Sequence, residues 1–362
     1  MPARRHRRLV PLAALTVVLS GCGGTALPPH DAAPRVQAAT NTPAQPSARL
    51  GEAEVVIAIS IDGLNPTALR RLGRAGAPAI HRMRRQGAST LNARTERELT
   101  RTLPNHTGML TGRPVGGPDG HRVTFNEDNG AILAATAGHY VAGVFDVVHD
   151  HGGRTAFYAS KDKFDFLARS WDRAHGAADT TGADNGRDKL DRYVVDRERV
   201  NVSRLVARLG GTPDTFSFVH LAGPDTAGHA QGFMSPAYLK AVRVADRQVG
   251  RILRAVRGDA ALRGRTAVVL TSDHGGRGSD HSDPTKASHY RVPFVAWGVG
   301  VASGADLYAL NGESRARPGK RRTTYAGVQP IRNAEVAGVV TTLLGLPDVP
   351  GSVIPRRRLL IS

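Results

Sequence analysis

Val55-Val56-Ile57-Ala58-Ile59-Ser60-Ile61, closed by Asp62-Gly63, is the stretch on which the fold turns. A strand with one wet face alternates apolar and polar residues. This run is almost continuously apolar, so it reads as a strand covered on both faces, the type found inside parallel sheets. Thr155 to Ala159, Phe216 to Leu221, Thr266 to Thr271 and Val292 to Trp297 repeat the pattern. Helical periodicity lies between them. In Tyr238 to Val256, the residues Leu239, Val242, Ala245, Val249, Ile252 and Val256 make one apolar stripe. Tyr140 to His149 and Asn333 to Leu344 also read as helices. Strands alternating with helices predict a three-layer α/β/α sandwich with a largely parallel central sheet. Gly298 to Arg332 is poor in regular pattern and carries Arg315, Arg317, Lys320, Arg321 and Arg322, so a long surface excursion is expected there. Open α/β sheets place their sites at the carboxyl ends of strands, which is where Asp and His are sought.

The chain has 362 residues, 40% of them hydrophobic, enough to bury a sizeable core. Its formal charge is +18, from 49 Lys and Arg against 31 Asp and Glu. Only six of the 49 are Lys, a skew that with abundant Ala follows GC-rich codon usage. Neither a recognition helix nor an aromatic-interleaved basic stripe accompanies the charge, so no specific nucleic-acid partner is expected. A basic surface that attracts phosphate esters is the milder reading. Cys22 is the single cysteine, which excludes an intramolecular disulfide and any thiolate-built metal cage.

The N-terminus reads as an address. Arg4, Arg5, Arg7 and Arg8 precede an eleven-residue apolar run, Leu9 to Leu19, too short to span a bilayer. The run ends in Leu19-Ser20-Gly21-Cys22, which resembles the lipobox of bacterial lipoproteins. Residues 1–21 are therefore expected to be a signal, and Cys22 the lipidated residue. Removing the four arginines of that segment takes the formal charge from +18 to +14. Residues 22–53 hold five prolines and no aromatic, the composition of a flexible tether. Residues 54–362 would form the catalytic domain, outside the cytoplasm and held to the membrane by the lipid.

Chemistry-bearing residues follow the apolar runs. Asp62 ends the first. Arg101-Thr102-Leu103-Pro104-Asn105-His106 reads as a helix start, and a hydroxyl at a helix N-terminus is well placed to attack an anion. Asp225 and His229 follow the Phe216 run and can grip one ion after a tight turn. Asp273 and His274 follow the Thr266 run, and His281 and His289 lie in the polar loop beyond. Oxygen and nitrogen donors without thiolate suit Zn2+, with Mn2+ the weaker candidate. Two ions so held make a clamp for phosphoryl displacement.

In order, Ile59-Ser60-Ile61-Asp62-Gly63, Thr102-Leu103-Pro104-Asn105-His106, Pro224-Asp225-Thr226-Ala227-Gly228-His229 and Ser272-Asp273-His274-Gly275 resemble the type I phosphodiesterase/nucleotide pyrophosphatase family of the alkaline phosphatase superfamily. The resemblance spans roughly residues 54–346. It implies a two-zinc site, with Asp62, Thr102, Asp273 and His274 on one ion and Asp225, His229 and a further His on the other. His281 is favoured over His289 for that place. It implies a phosphothreonine at Thr102, with Asn126 holding a phosphoryl oxygen and Asn105 ordering the turn. Leu103 departs from the family, whose nucleotide pyrophosphatases usually carry an aromatic there. Sugar-nucleotide, lipid-headgroup and simple phosphate esters all stay open as substrates. Phosphomonoesterase, phosphonate hydrolase and an inactive surface-binding lipoprotein are the rival readings. The oligomeric state is left open.

Overall fold

The computed structural model describes residues 52–179, 186–319, 322–354 and 357–362. The expected signal, Cys22 and nearly all of the expected tether lie outside these residues. The chain divides into two units, Met1–Gln45 and Pro46–Ser362, and everything below concerns the second. No helix among the described residues is long and apolar enough to cross a membrane.

Eight strands form one sheet in the order β4-β3-β5-β1-β6-β7-β2-β8. They are β1 Val55–Ile61, β2 Ala88–Arg94, β3 Thr155–Ala159, β4 Arg192–Val195, β5 Phe216–Leu221, β6 Thr266–Thr271, β7 Arg291–Gly298 and β8 Ala305–Asp306. β7 alone runs against the rest, pairing antiparallel with both β6 and β2. β1 is buried along its whole length and pairs in parallel with β5 and β6, with Ala58 opposite Phe218 and Val269.

The twofold alternation of β1 serves two cores. Val56 and Ala58 join one core, with Leu103, Val144 and Val336; Val55, Ile57, Ile59 and Ile61 join the other, with Leu69, Leu205 and Val249. The helices Thr102–Thr111, Val144–Asp150 and Glu335–Leu344 cover the first face. Pro66–Gly76, Pro78–Gln86, Glu198–Leu209 and Pro236–Gly258 cover the second. This is the three-layer α/β/α sandwich that the apolar runs predict. The helix Pro236–Gly258 starts where Ser235 accepts from the Tyr238 N–H, and its whole predicted stripe is buried.

Three features depart from expectation. β2, β4 and β8 were not anticipated, because Ala-Ser-Thr-Leu-Asn-Ala-Arg and Arg-Tyr-Val-Val lie toward the sheet edges and lack the continuous apolar signal. The helix expected from Tyr140 begins at Val144, where the Asp146 carboxylate accepts from the Gly143 N–H at 2.7 Å and sets the N-terminus. The excursion Gly298 to Arg332 is not wholly superficial: Arg315 is buried, its Nε 2.8 Å from Glu335 Oε1.

Candidate metal centre and active site

Each motif meets the others at the carboxyl end of the central strands. β1 delivers Asp62, and the chain turns at Gly63 with φ +70°. A Cβ at Gly63 would also lie 3.1 Å from the Asp225 backbone, so the turn and the close approach both need glycine. After β5, Gly223-Pro224 opens a helix, Gly223–Gln231. Asp225 and His229 therefore sit one helical turn apart, because proline suits a first helical turn. β6 delivers Asp273 and His274 into an irregular loop, and His281 returns from the loop beyond.

Ligand atoms of Asp62, Asp273 and His274 lie within 4.8 Å of one another, as do those of Asp225, His229 and His281. His274 Nε2 is 3.4 Å from Asp62 Oδ1, 3.2 Å from Asp273 Oδ2 and 3.9 Å from Asp225 Oδ1, so the two groups adjoin. His281, not His289, stands in the Asp225 group; His289 is buried with both ring nitrogens unpartnered.

The imidazole tautomers follow from their backbone partners. Nδ1–H of His274 donates to Gly275 O at 2.8 Å, that of His229 to Ser279 O at 3.0 Å, and that of His281 to Thr100 O at 2.6 Å. All three Nε2 lone pairs thus face the carboxylates. His229 Nε2 and His281 Nε2 are only 3.0 Å apart, two lone pairs with no proton between them. Asp62 Oδ1, Asp225 Oδ1, Asp273 Oδ2 and His274 Nε2 are buried without a hydrogen-bond partner. Leaving one such group orphaned costs on the order of 1–3 kcal/mol, and more when it is charged. The donor set and its orphaned atoms fit divalent cations.

Electrostatics agree. Lys161 Nζ lies 2.6 Å from Asp62 Oδ2 and 2.7 Å from Asp225 Oδ2, bridging the carboxylate oxygens opposite those nearest His274, His229 and His281. Burial opposes the Lys161 charge, but the two carboxylates hold its pKa above the usual lysine value. Burial also opposes ionisation of Asp62, yet Lys161 and the His220 hydrogen bond keep its carboxyl well below the usual range. Asp273 is driven the other way, first by burial and then by Asp62 and Asp225. One ammonium therefore does not balance three buried carboxyl groups. His281 is lowered to about 4, by burial first and then by His274 stacked 3.6 Å away.

Thr102 is the first residue of its helix and is buried. Its carbonyl accepts from His106 Nδ1 at 2.8 Å, and that nitrogen is 3.8 Å from Asp273 Oδ2. Thr100, two residues earlier, donates to His281 O at 2.5 Å. The helix start that carries Thr102 is thus linked through His106 toward Asp273 and through Thr100 to the His281 loop. Asn126 Oδ1 accepts from the Leu103 N–H at 3.0 Å, which places Asn126 at the same helix start. Asn105 Nδ2 donates to Leu99 O and Arg101 O, while its Oδ1 accepts from Glu96 N and Asn333 Nδ2. Four bonds from one amide hold the turn that precedes Thr102.

The family model for type I phosphodiesterase / nucleotide pyrophosphatase matches residues 56–328. The chain belongs to that family. Among curated relatives it is 30% identical over 299 residues to "GPI ethanolamine phosphate transferase 1" of Aspergillus oryzae, covering 76% of this chain and 27% of the relative. Against the Homo sapiens protein of the same name it is 25% identical over 339 residues, covering 86% and 33%. The chain thus spans about a third or less of those relatives. Murine ectonucleotide pyrophosphatase / phosphodiesterase 5, an inactive variant in complex with AMP, superposes with a TM-score of 0.57 at 13% identity, covering 83% of this chain and 96% of that one. A Vibrio parahaemolyticus protein of the alkaline phosphatase superfamily gives 0.54 at 13%, covering 85% and 70%. At such identities the likeness is one of fold, and it matches the alkaline phosphatase-like sandwich.

Three side chains of this phosphodiesterase-family site escaped the sequence reading. Lys161 follows β3, whose end carried no apparent motif. His220 lies inside β5, where an apolar run disguises it; its Nδ1 accepts from Ser160 N and its Nε2–H donates to Asp62 Oδ2 at 2.9 Å. His106, four residues after Thr102, carries no role on residue type alone, and its Nε2 accepts from Ser60 Oγ at 2.8 Å. The signal for His220 and His106 is a buried histidine one strand or one turn away from a carboxylate.

Proposed function

We propose that the chain hydrolyses phosphate esters of the diester and pyrophosphate type through a phosphothreonine at Thr102, with two zinc ions, or manganese in their place, held by Asp62, Thr102, Asp273 and His274 and by Asp225, His229 and His281. The observation that carries the reading is the set of imidazole lone pairs and orphaned carboxylate oxygens gathered beside a threonine at a helix N-terminus. Bound there, such ions supply Lewis acidity, favouring an ionised hydroxyl and offsetting charge on the phosphoryl oxygens.

The chain's own groups do the rest. Thr102 Oγ1 bonds to phosphorus as the ester alcohol departs, and water then breaks the phosphothreonine bond. His106 has both nitrogens engaged, so it orients the Thr102 turn instead of taking a proton. Asn126 spends its carbonyl oxygen on Leu103 and keeps its Nδ2 donor for a phosphoryl oxygen, and the free N–H groups at the helix start favour the same negative charge. Lys161, drawn off Asp62 and Asp225, offers a further cationic donor to the substrate. The reading extends to residues outside those described: lipidation of Cys22 would hold the site at the extracytoplasmic face of the membrane.

The relatives' name favours a second reading, in which an alcohol in place of water accepts the group from Thr102. Bis-(p-nitrophenyl) phosphate and p-nitrophenyl phosphate, each with and without added ethanolamine or glycerol, separate these outcomes. Diester turnover that chelation abolishes and zinc restores is expected. With the monoester, nitrophenol released in excess over free phosphate marks transfer to the alcohol; with the diester, nitrophenol in excess over p-nitrophenyl phosphate does. Full diester turnover by metal-stripped protein would sink the proposal.

A further inference from the structure

A second cationic site lies away from the ligand groups. A groove of about 630 Å3 runs beside β2 and β8 and is lined by Arg70, Arg84, Arg291 and Arg317, with Asp306 as its only acid. It shares no residue with the Asp62 or Asp225 groups. Asp306 is already committed, its Oδ1 2.6 Å from Arg317. Among the described residues the other three arginines have no carboxylate within ion-pair distance. Arg70 donates to Thr67 Oγ1, and Arg84 to His81 Nδ1 at 3.4 Å, both neutral acceptors. His81 Nε2–H donates to Leu69 O at 3.0 Å, which leaves Nδ1 as the acceptor that faces Arg84.

The arrangement is costly as it stands. Nε–H of Arg84 and of Arg291 are buried and unpartnered. Burial, and then Arg70, pull the Arg84 guanidinium below its usual pKa. Arg94, paired with Arg291 in the β2–β7 ladder, is lowered to about 10 by burial, with Arg291 among the charges that oppose it. Half-buried guanidinium groups that line one groove without an anion pay desolvation with no return. Their planar forks match phosphate oxygens bidentately. Ser89, Thr90 and Asn92 add neutral polar groups on the β2 wall.

We propose that this groove binds a phosphate-bearing anion, with Arg84 and Arg291 as its anchors and Arg70 at its mouth. Two sources share that chemistry, a free phosphate ester and the headgroup of an anionic lipid.

The test uses the full chain, stripped of metal with EDTA and dialysed, and methylenebisphosphonate, a probe that cannot be hydrolysed. Titration calorimetry should show metal-independent binding that Arg84→Gln/Arg291→Gln weakens at least tenfold. The double variant should melt no lower than wild type without probe, since repulsion is relieved. Should it fail to fold, the exposed Arg70→Gln keeps the question open to decision, with about threefold weakening expected. Sedimentation with phosphatidylglycerol and phosphatidylcholine vesicles identifies the source. Loss of phosphatidylglycerol-specific binding in the variant points to the lipid headgroup; unchanged vesicle binding with lost bisphosphonate binding points to the free ester. Equal bisphosphonate affinity in wild type and variant, or none in wild type, overturns the proposal.

Discussion

Two histidine–aspartate clusters in this molecule have metal-like spacing and opposite electrostatics. Asp62, Asp225 and Asp273 gather with His229, His274 and His281 at the strand ends; His149, Asp150 and Asp179 gather behind the helix Val144–Asp150. Each contains a lysine. Lys189 Nζ is 2.8 Å from Asp150 Oδ1 and 3.1 Å from Asp179 Oδ2, and His149 Nδ1 is 2.5 Å from Asp179 Oδ2. Asp150 also reaches solvent, with a side chain 38% exposed. There, among the described residues, one ammonium meets one buried carboxylate and one wet one, and the imidazole spends a nitrogen on the carboxylate. At the strand ends one ammonium meets three buried carboxyl groups, and three imidazoles turn lone pairs inward. Spacing alone does not distinguish a metal centre from an ion-pair network. Charge balance and the direction of the histidine protons do.

Attempts to break this contrast rank by expected effect. Thr102→Ala, which touches only the strand-end cluster, should lower kcat toward a nitrophenyl diester by about 10^4-fold, with the thermal midpoint nearly unchanged. Asp225→Asn should remove one equivalent of bound metal by elemental analysis, whereas His149→Ala should remove none; metal lost from the second variant would erase the distinction. His220→Ala should cut activity by about 10- to 100-fold, the usual cost of freeing a ligand from its supporting hydrogen bond. Lys189→Met should leave activity and metal content alone but destabilise the fold by about 3 kcal/mol in urea, since Asp179 keeps a buried charge without its partner.

A separate effect concerns pH. Burial foremost raises Glu96 to about 8, with Glu98 adding to it and the Tyr325 hydrogen bond opposing. The raised folded pKa means that the native state holds a proton the unfolded chain releases near 4.5. The resulting stability is complete below that value and is lost as pH rises through about 8. Melting midpoints should therefore fall over this window, and Glu96→Gln should flatten the decline. An unchanged slope in the variant would assign the pH dependence elsewhere.

How much was legible shows in particular residues. β1, β3, β5, β6 and β7 announce themselves because both faces of the inner sheet are covered, which leaves no polar register to blur them. β2 and β4 did not, since their partly exposed positions admit Asn, Arg and Tyr. Asp62, Asp225 and Asp273 were visible because a parallel sheet puts successive strand ends side by side. Asp225 and His229 were visible as a pair four residues apart, but not the helix Gly223–Gln231 that carries them. Lys161 was invisible, since its ion pairs reach 99 and 64 residues away in the chain.

The sequence by itself determined the sandwich, the apolar strands at its centre and the residue types waiting at their ends, because apolar runs and helical stripes are local and additive. Only the tertiary structure decided which atoms face one another. His281 stands in the Asp225 group because Thr100 O holds its Nδ1, and His220 reaches Asp62 because β1 and β5 pair with Ser60 opposite His220. Lys161 bridges two carboxylates because three strands end together. Such pairings depend on register and burial between distant segments, so the charge balance that separates a metal centre from a salt-bridge network exists only in the folded chain.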